Sequence, residues 1–260
     1  MLPREHGAYG QLAFPLVTAF AVAGVTVPAL LMAVGVVAAF LAHEPLLVLL
    51  GRRGDRTRRA QWRRAAIWMS VTGATAVGGV LAALVSMAHS VRWWLILPVV
   101  PTAILFTAIT AKREKSALGE IAVALVFSLV SVPICLAAGG ATRPALAVGL
   151  AFSAIFVADT LAVRAIVLKT RGGGDPRAAR ATRVAVLALT SVAAVGFVVT
   201  AWRGLLPWTT LVAATPGLVG AVWLTSRPPS ATQLRAVGWA LVMTSAAAAI
   251  ILIADFAGAP

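Results

Sequence analysis

The sequence predicts an all-α polytopic membrane protein, and three observations carry that prediction. Of the 260 residues 60% are hydrophobic and 12% charged, and the mean hydropathy is +0.95, a balance that a soluble domain of this length does not tolerate. The apolar residues fall in runs of roughly 17 to 25, long enough to cross about 30 Å of hydrocarbon as helices. The 22 Lys and Arg lie almost wholly in the short segments between those runs.

Nine runs are expected to span: 8–24, 28–50, 66–88, 93–110, 118–139, 144–168, 184–201, 205–225 and 234–254. Polar or Pro/Gly breaks separate them, such as "GVTVP" at 24–28 and "GGATRP" at 139–144. With the N-terminus in the cytoplasm, Arg92, Arg143 and Arg203 fall outside and every other basic residue inside, so the charge asymmetry predicts N-terminus in and C-terminus out. Trp93, Trp94, Trp202 and Trp208 then sit at the outer interface, where indole rings are favoured. The formal charge of +14 is thereby topogenic. It argues against nucleic acid as a partner, and the expected partners are the bilayer and its anionic headgroups. The first run lacks the pattern of a cleaved signal peptide and is expected to remain in the mature chain. The single cysteine, Cys135, lies in an apolar run, which leaves no disulfide framework within the chain and reads as packing.

An internal repeat organises the nine spans. "PALLMAVGVVAAFLAH" at 28–43 aligns without a gap on "PALAVGLAFSAIFVAD" at 144–159, a shift of 116 that recurs where "ALV" at 124–126 meets "ALV" at 240–242. Nearby shifts pair Trp94 with Trp208 and Pro101 with Pro216. The expected architecture is a lead helix, 8–24, followed by two parallel four-helix halves, 28–139 and 144–254, related by an axis along the membrane normal. A cavity between the halves is expected to hold the functional groups.

An ionisable side chain in hydrocarbon costs a few kcal/mol and needs a partner, a cavity or a role. Glu5 and His6 stand at the inner mouth of the first span, His43 and Glu44 within the second, Glu120 at the start of the fifth, and Asp159 and Arg164 within the sixth. The repeat places His43 opposite Asp159 and Glu44 opposite Thr160, with both pairs expected to face the axis between the halves. Pro45 cannot donate to the Leu41 carbonyl and is expected to bend its helix beside Glu44. Glu5 and His6 join this cluster, with Gly7, Ala8 and Gly10 permitting close helix approach. One reading of the cluster is a structural hydrogen-bond network, the other a ligand-facing site. Arg164 either meets an anionic ligand or snorkels to the headgroups, and Glu120 is expected to cap its helix or pair with Lys115 or Lys112. The basic loops "GRRGDRTRRAQWRR" (51–64) and "KTRGGGDPRAAR" (169–180) occupy equivalent places; they read as topogenic, the second lacking the G-K-[ST] ending of a phosphate loop.

The opening "PREHGAYGQLAFP" together with "HEPL" at 43–46 resembles the YwiC-like family of bacterial membrane proteins, a resemblance covering about the first 60 residues. It implies residence in the bacterial plasma membrane. The layout is more distantly similar to UbiA-type intramembrane prenyltransferases, whose nine helices surround a cavity open to the cytoplasm and whose two aspartate-rich motifs hold Mg²⁺ on an isoprenyl diphosphate. The present chain departs from those motifs, with Glu44 and a distant Asp55 in one half and Val163 where the second motif requires its last aspartate.

Two function classes follow. In the first, the cavity binds or transforms an isoprenoid or lipid-like diphosphate; Glu44 and Asp159 act as acid/base groups or hold one metal, Mg²⁺ by analogy, and His6, His43, Arg52, Arg53 and Arg164 bind the substrate. The alternative is a small proton-coupled transporter relaying protons through His and carboxylates, against which stands the scarcity of ionisable groups in the outer halves of the helices. A transition-metal site built from Glu5, His6, His43 and Glu44 has suitable residue types but no diagnostic spacing.

Overall fold

The computed structural model describes residues 6–170, 176–227, 229 and 233–257. Its elements are α1 (His6–Ala23), α2 (Val27–Leu49), α3 (Asp55–Ser86), α4 (His89–Arg92), a 3-10 turn over Trp93–Leu95, α5 (Ile96–Thr110), α6 (Ala117–Leu129), α7 (Ser131–Ala137), α8 (Thr142–Thr170), α9 (Pro176–Trp202), α10 (Trp208–Ser226) and α11 (Leu234–Phe256), with no strand among the described residues. Eight stretches are long and apolar enough to cross a membrane, α4–α5 and α6–α7 each forming one, and α1 contributes a shorter apolar helix over Gly7–Ala23. The chain is a multi-pass, all-α membrane protein.

The expected spans reappear with shifted ends. α3 begins at Asp55, so most of the basic segment read as a loop is helix. Arg, Ala and Gln are good helix formers, and Asp55 in the first turn complements the helix dipole. α9 begins at Pro176, a first helical position where the missing N–H costs nothing. The expected span 118–139 is instead broken at Val130 between α6 and α7. Pro133 has no N–H for the Leu129 carbonyl and its ring crowds that oxygen, which ends the first segment there. The glycine run at 172–174 lies outside the described residues.

α8 is the most enclosed span, with Phe152, Ile155 and Phe156 fully buried. It packs on α6 and α7 as well as on α9, α10 and α11. The seam between α2–α7 and α8–α11 is closed by small residues. Ser128 and Ser153 hydroxyls meet at 2.8 Å across it, and a Cβ on Gly149 would stand 2.4 Å from a Val132 methyl. α1 fills the space between α7, α8 and α11, where buried Cys135 faces the Ala19 carbonyl at 3.7 Å.

α3 lies along α2 through a glycine contact. A Cβ on Gly79 would come within 2.8 Å of the Leu31 carbonyl and 3.0 Å of the Gly35 backbone, so the two helices meet backbone to backbone. Gly79→Val is expected to lower stability in detergent by about 1–3 kcal/mol, the usual cost of overpacking. Gly78→Val, where nothing lies within 4 Å, should leave the thermal midpoint nearly unchanged.

Candidate functional site

Within the α2–α7 group the helices do not close on one another. α5 rests chiefly on α6, and between α2, α3, α5 and α6 lies a cavity of about 590 Å³, in the size range of small-molecule sites. Its walls are mainly apolar: Met32, Gly35, Ala39 and Phe40 of α2, Val80 of α3, Val99 and Phe106 of α5, and Phe127 of α6. Along α2 it runs from Met32 to Glu44, about 18 Å at 1.5 Å per residue. Val99 is 53% and Phe106 59% exposed although both line the cavity, so the α5 wall opens sideways to the surroundings of the helices.

Polar groups gather at one end, where His43, Glu44 and Arg53 line the cavity. The end of α2 sets this up. Arg52 N–H donates to Leu47 O at 2.8 Å and Gly51 N–H to Val48 O at 3.0 Å, a helix-ending turn that needs a left-handed residue, and Gly51 has φ +74°. The turn folds Arg53 back onto Glu44: Nε donates to Oε1 at 3.0 Å and Nη2 to Oε2, a bidentate fork on a buried carboxylate. Arg52 points elsewhere, its Nη2 donating to the carbonyls of Ile109 at 2.7 Å and Thr110 at 2.9 Å. It thereby adds a second donor to Ile109 O, which already accepts from Lys112 N–H at 3.2 Å, supplies one to Thr110 O, and ties the end of α5 to the α2–α3 turn. Gly51→Ala is expected to cost roughly 1 kcal/mol through the left-handed backbone alone, seen as a lower thermal midpoint.

The remaining residues singled out in the sequence lie as follows. Tyr9 packs edge-on against Phe40 with ring centroids 5.0 Å apart, and Ala8 lines the cavity; the "HGAY" and "HEP" segments are therefore neighbours, joined by aromatic packing. Phe40 in turn meets Phe127 at 5.5 Å. The side chain of His6, and Glu5 altogether, lie outside the described residues. Asp159 does not line this cavity. It is buried in α8 with no partner for Oδ1 among the described residues, one turn beyond Ile155, which packs where Gly217 of α10 leaves room. Arg164 donates to Glu120 Oε2 at 2.9 Å and to the Lys115 carbonyl at 3.1 Å. Glu120 thus pairs with α8, not with Lys115 or Lys112, because α6 and α8 pack side by side and Arg164 of α8 reaches the start of α6. The structure brings His43, Glu44 and Arg53 together and leaves Arg52, Asp159 and Arg164 in other contacts. Sequence reasoning missed the α5 wall, whose Pro98, Val99, Thr102, Ala103 and Phe106 follow helical spacing onward from Leu95 of the preceding 3-10 turn. That stripe reads equally as lipid-facing or core.

The donor set does not suit a Mg²⁺–diphosphate centre. Both Glu44 oxygens receive Arg53, Asp159 lies elsewhere, and no group of three or more His, Cys, Asp or Glu suited to a metal occurs among the described residues. Two hard cations on a diphosphate require several oxygen ligands in fixed geometry.

Fold and site together define a polytopic α-helical membrane protein with a largely apolar intramembrane cavity capped at one end by an Arg–Glu pair. Within that class, the chain belongs to the YwiC-like protein family, whose model matches residues 2–135. The match spans α1 to α6 and most of α7, and every residue lining the cavity falls inside it. No curated protein and no solved structure matches the chain.

Proposed function

We propose that the protein binds an isoprenoid or similar lipid-like molecule in the α2–α3–α5–α6 cavity, chain along the apolar walls and head at His43, Glu44 and Arg53. The observation that carries this reading is the polarity gradient of a single cavity: about 590 Å³ with apolar walls, ending at a half-buried Arg53 paired with a buried carboxylate, Glu44. An amphipathic ligand is the chemistry that such a gradient complements. The coincidence of the cavity with the family match supports the same placement. We read the basic loops as cytoplasmic, which puts the head site on the inner side of a bacterial plasma membrane and the N-terminus inside.

The proposed repeat supplies a cause for the cavity. In the shift of 116, Ile155 of α8 corresponds to Ala39 of α2, and the Pro101/Pro216 pairing sets Gly217 of α10 against Thr102 of α5. Ile155 fills the contact with Gly217. Ala39 and Thr102 instead face the open cavity, because alanine lacks the volume to reach across.

The reading is tested with a geranylgeraniol carrying a photoactivatable diazirine near its tail, cross-linked to the purified chain and mapped by peptide mass spectrometry. Adducts are expected on α2, α3, α5 and α6 at cavity-lining positions. Adducts confined to α9–α11, or spread evenly over outward faces, would count against it.

A further inference from the structure

The charge arrangement at the polar end restricts the head group, and the restriction runs against a diphosphate. Among the described residues Arg53 is the one guanidinium lining the cavity, and Glu44 takes both Nε and Nη2. The other two arginines expected nearby are committed elsewhere: Arg52 to the carbonyls of Ile109 and Thr110, Arg164 to Glu120. The Arg53–Glu44 pair is neutral as a unit. A head carrying two or more negative charges would have to pull Arg53 off a buried carboxylate, leaving Glu44 uncompensated beside the phosphates. An uncharged oxygen demands no such exchange. A carboxylate offers about four acceptor sites, of which Arg53 uses two, so a hydroxyl can donate to Glu44 with the ion pair intact.

The route of entry agrees with an uncharged ligand. Thr102, Ala103 and Phe106 line the cavity and are exposed on its α5 side, among helices whose outward faces are apolar, so the opening meets hydrocarbon. A molecule partitioned in the bilayer reaches it without leaving the apolar phase, whereas a diphosphate would carry its charge through that phase.

We propose that the occupant is an isoprenoid or similar apolar chain with an uncharged hydroxyl head that donates to Glu44 of the Glu44–Arg53 pair, admitted from the bilayer across α5. This rests on the reading of the cavity as a lipid site.

The test is displacement of tritiated geranylgeraniol from the purified full chain in detergent by unlabelled geranylgeraniol or geranylgeranyl diphosphate, each with and without Mg²⁺, for wild type and Ala103→Trp. The expected result is competition by the alcohol at least tenfold stronger than by the diphosphate, indifferent to Mg²⁺, and loss of displaceable binding in Ala103→Trp. A diphosphate that competes as well as the alcohol overturns the uncharged-head inference while leaving the cavity a lipid site. Absence of displaceable binding in wild type, or binding untouched by Ala103→Trp, overturns the site reading itself. Should the tryptophan variant fail to fold, Ala39→Phe on the opposite wall supplies the same arm.

Discussion

Arg53→Ala is expected to lower the stability of the detergent-solubilised protein by about 2 kcal/mol, and Glu44→Gln on that background to recover most of the loss. Removing one member of a buried pair leaves an uncompensated charge and typically costs about 3–5 kcal/mol. The Arg53 side chain retains 28% exposure against 9% for Glu44, so water reaches part of the pair and the expected cost sits below that range. Glu44→Gln alone removes the charge that needs Arg53 and should cost less than Arg53→Ala. The asymmetry between the two single variants, and the recovery in the double, is the signature to look for in thermal midpoints. Equal losses that simply add would mean that the pair is solvated and structurally idle.

Ala39→Phe is expected to weaken capture of the photoactivatable geranylgeraniol at least tenfold, equivalent to about 1.4 kcal/mol, with little loss of stability. Ala39 sits on α2 one turn before His43, lines the cavity and is exposed to it, so a larger side chain has space to enter without displacing core residues. The ring would cross the path between the chain region and the head site. Ala74→Phe on α3, exposed and absent from the cavity wall, serves as the control and should leave capture unchanged. A loss shared by both variants would trace to folding and not to occlusion.

Hydropathy read the membrane class and the spans directly, since a run of apolar residues long enough to cross a bilayer has few other structural uses. Helix ends were less legible: α3 and α9 run on through Arg-rich segments because helix propensity, not hydrophobicity, decides where they begin. His43 and Glu44 stood out because ionisable groups in apolar runs are rare, and both do lie at the polar end of the cavity. Their partner within that site was a different matter. The sequence set Asp159 opposite His43 by the repeat, yet the contact that forms is Glu44 with Arg53, nine residues along the same chain. A turn closed by a left-handed glycine brings it about.

The location of the cavity was the least legible feature. Whether a helix seats against its neighbours depends on matched volumes across the contact, as with Ile155 in the space left by Gly217, and periodicity alone does not register such pairs. The seam between the two groups of helices, where a cavity was expected, is instead filled by Ser128, Ser153, Gly149 and Val132. Small polar residues in that seam are as consistent with a cavity lining as with close packing until the facing helix is known.

The most direct test of the central claim is an experimental density map of the chain with geranylgeraniol bound. The account predicts elongated density between α2, α3, α5 and α6, following α2 from Met32 and ending within hydrogen-bond reach of Glu44 and Arg53. A map in which α5 lies packed against α2 and α3 with no space between them, or in which the lipid sits only on the outer surface of the bundle, would contradict it.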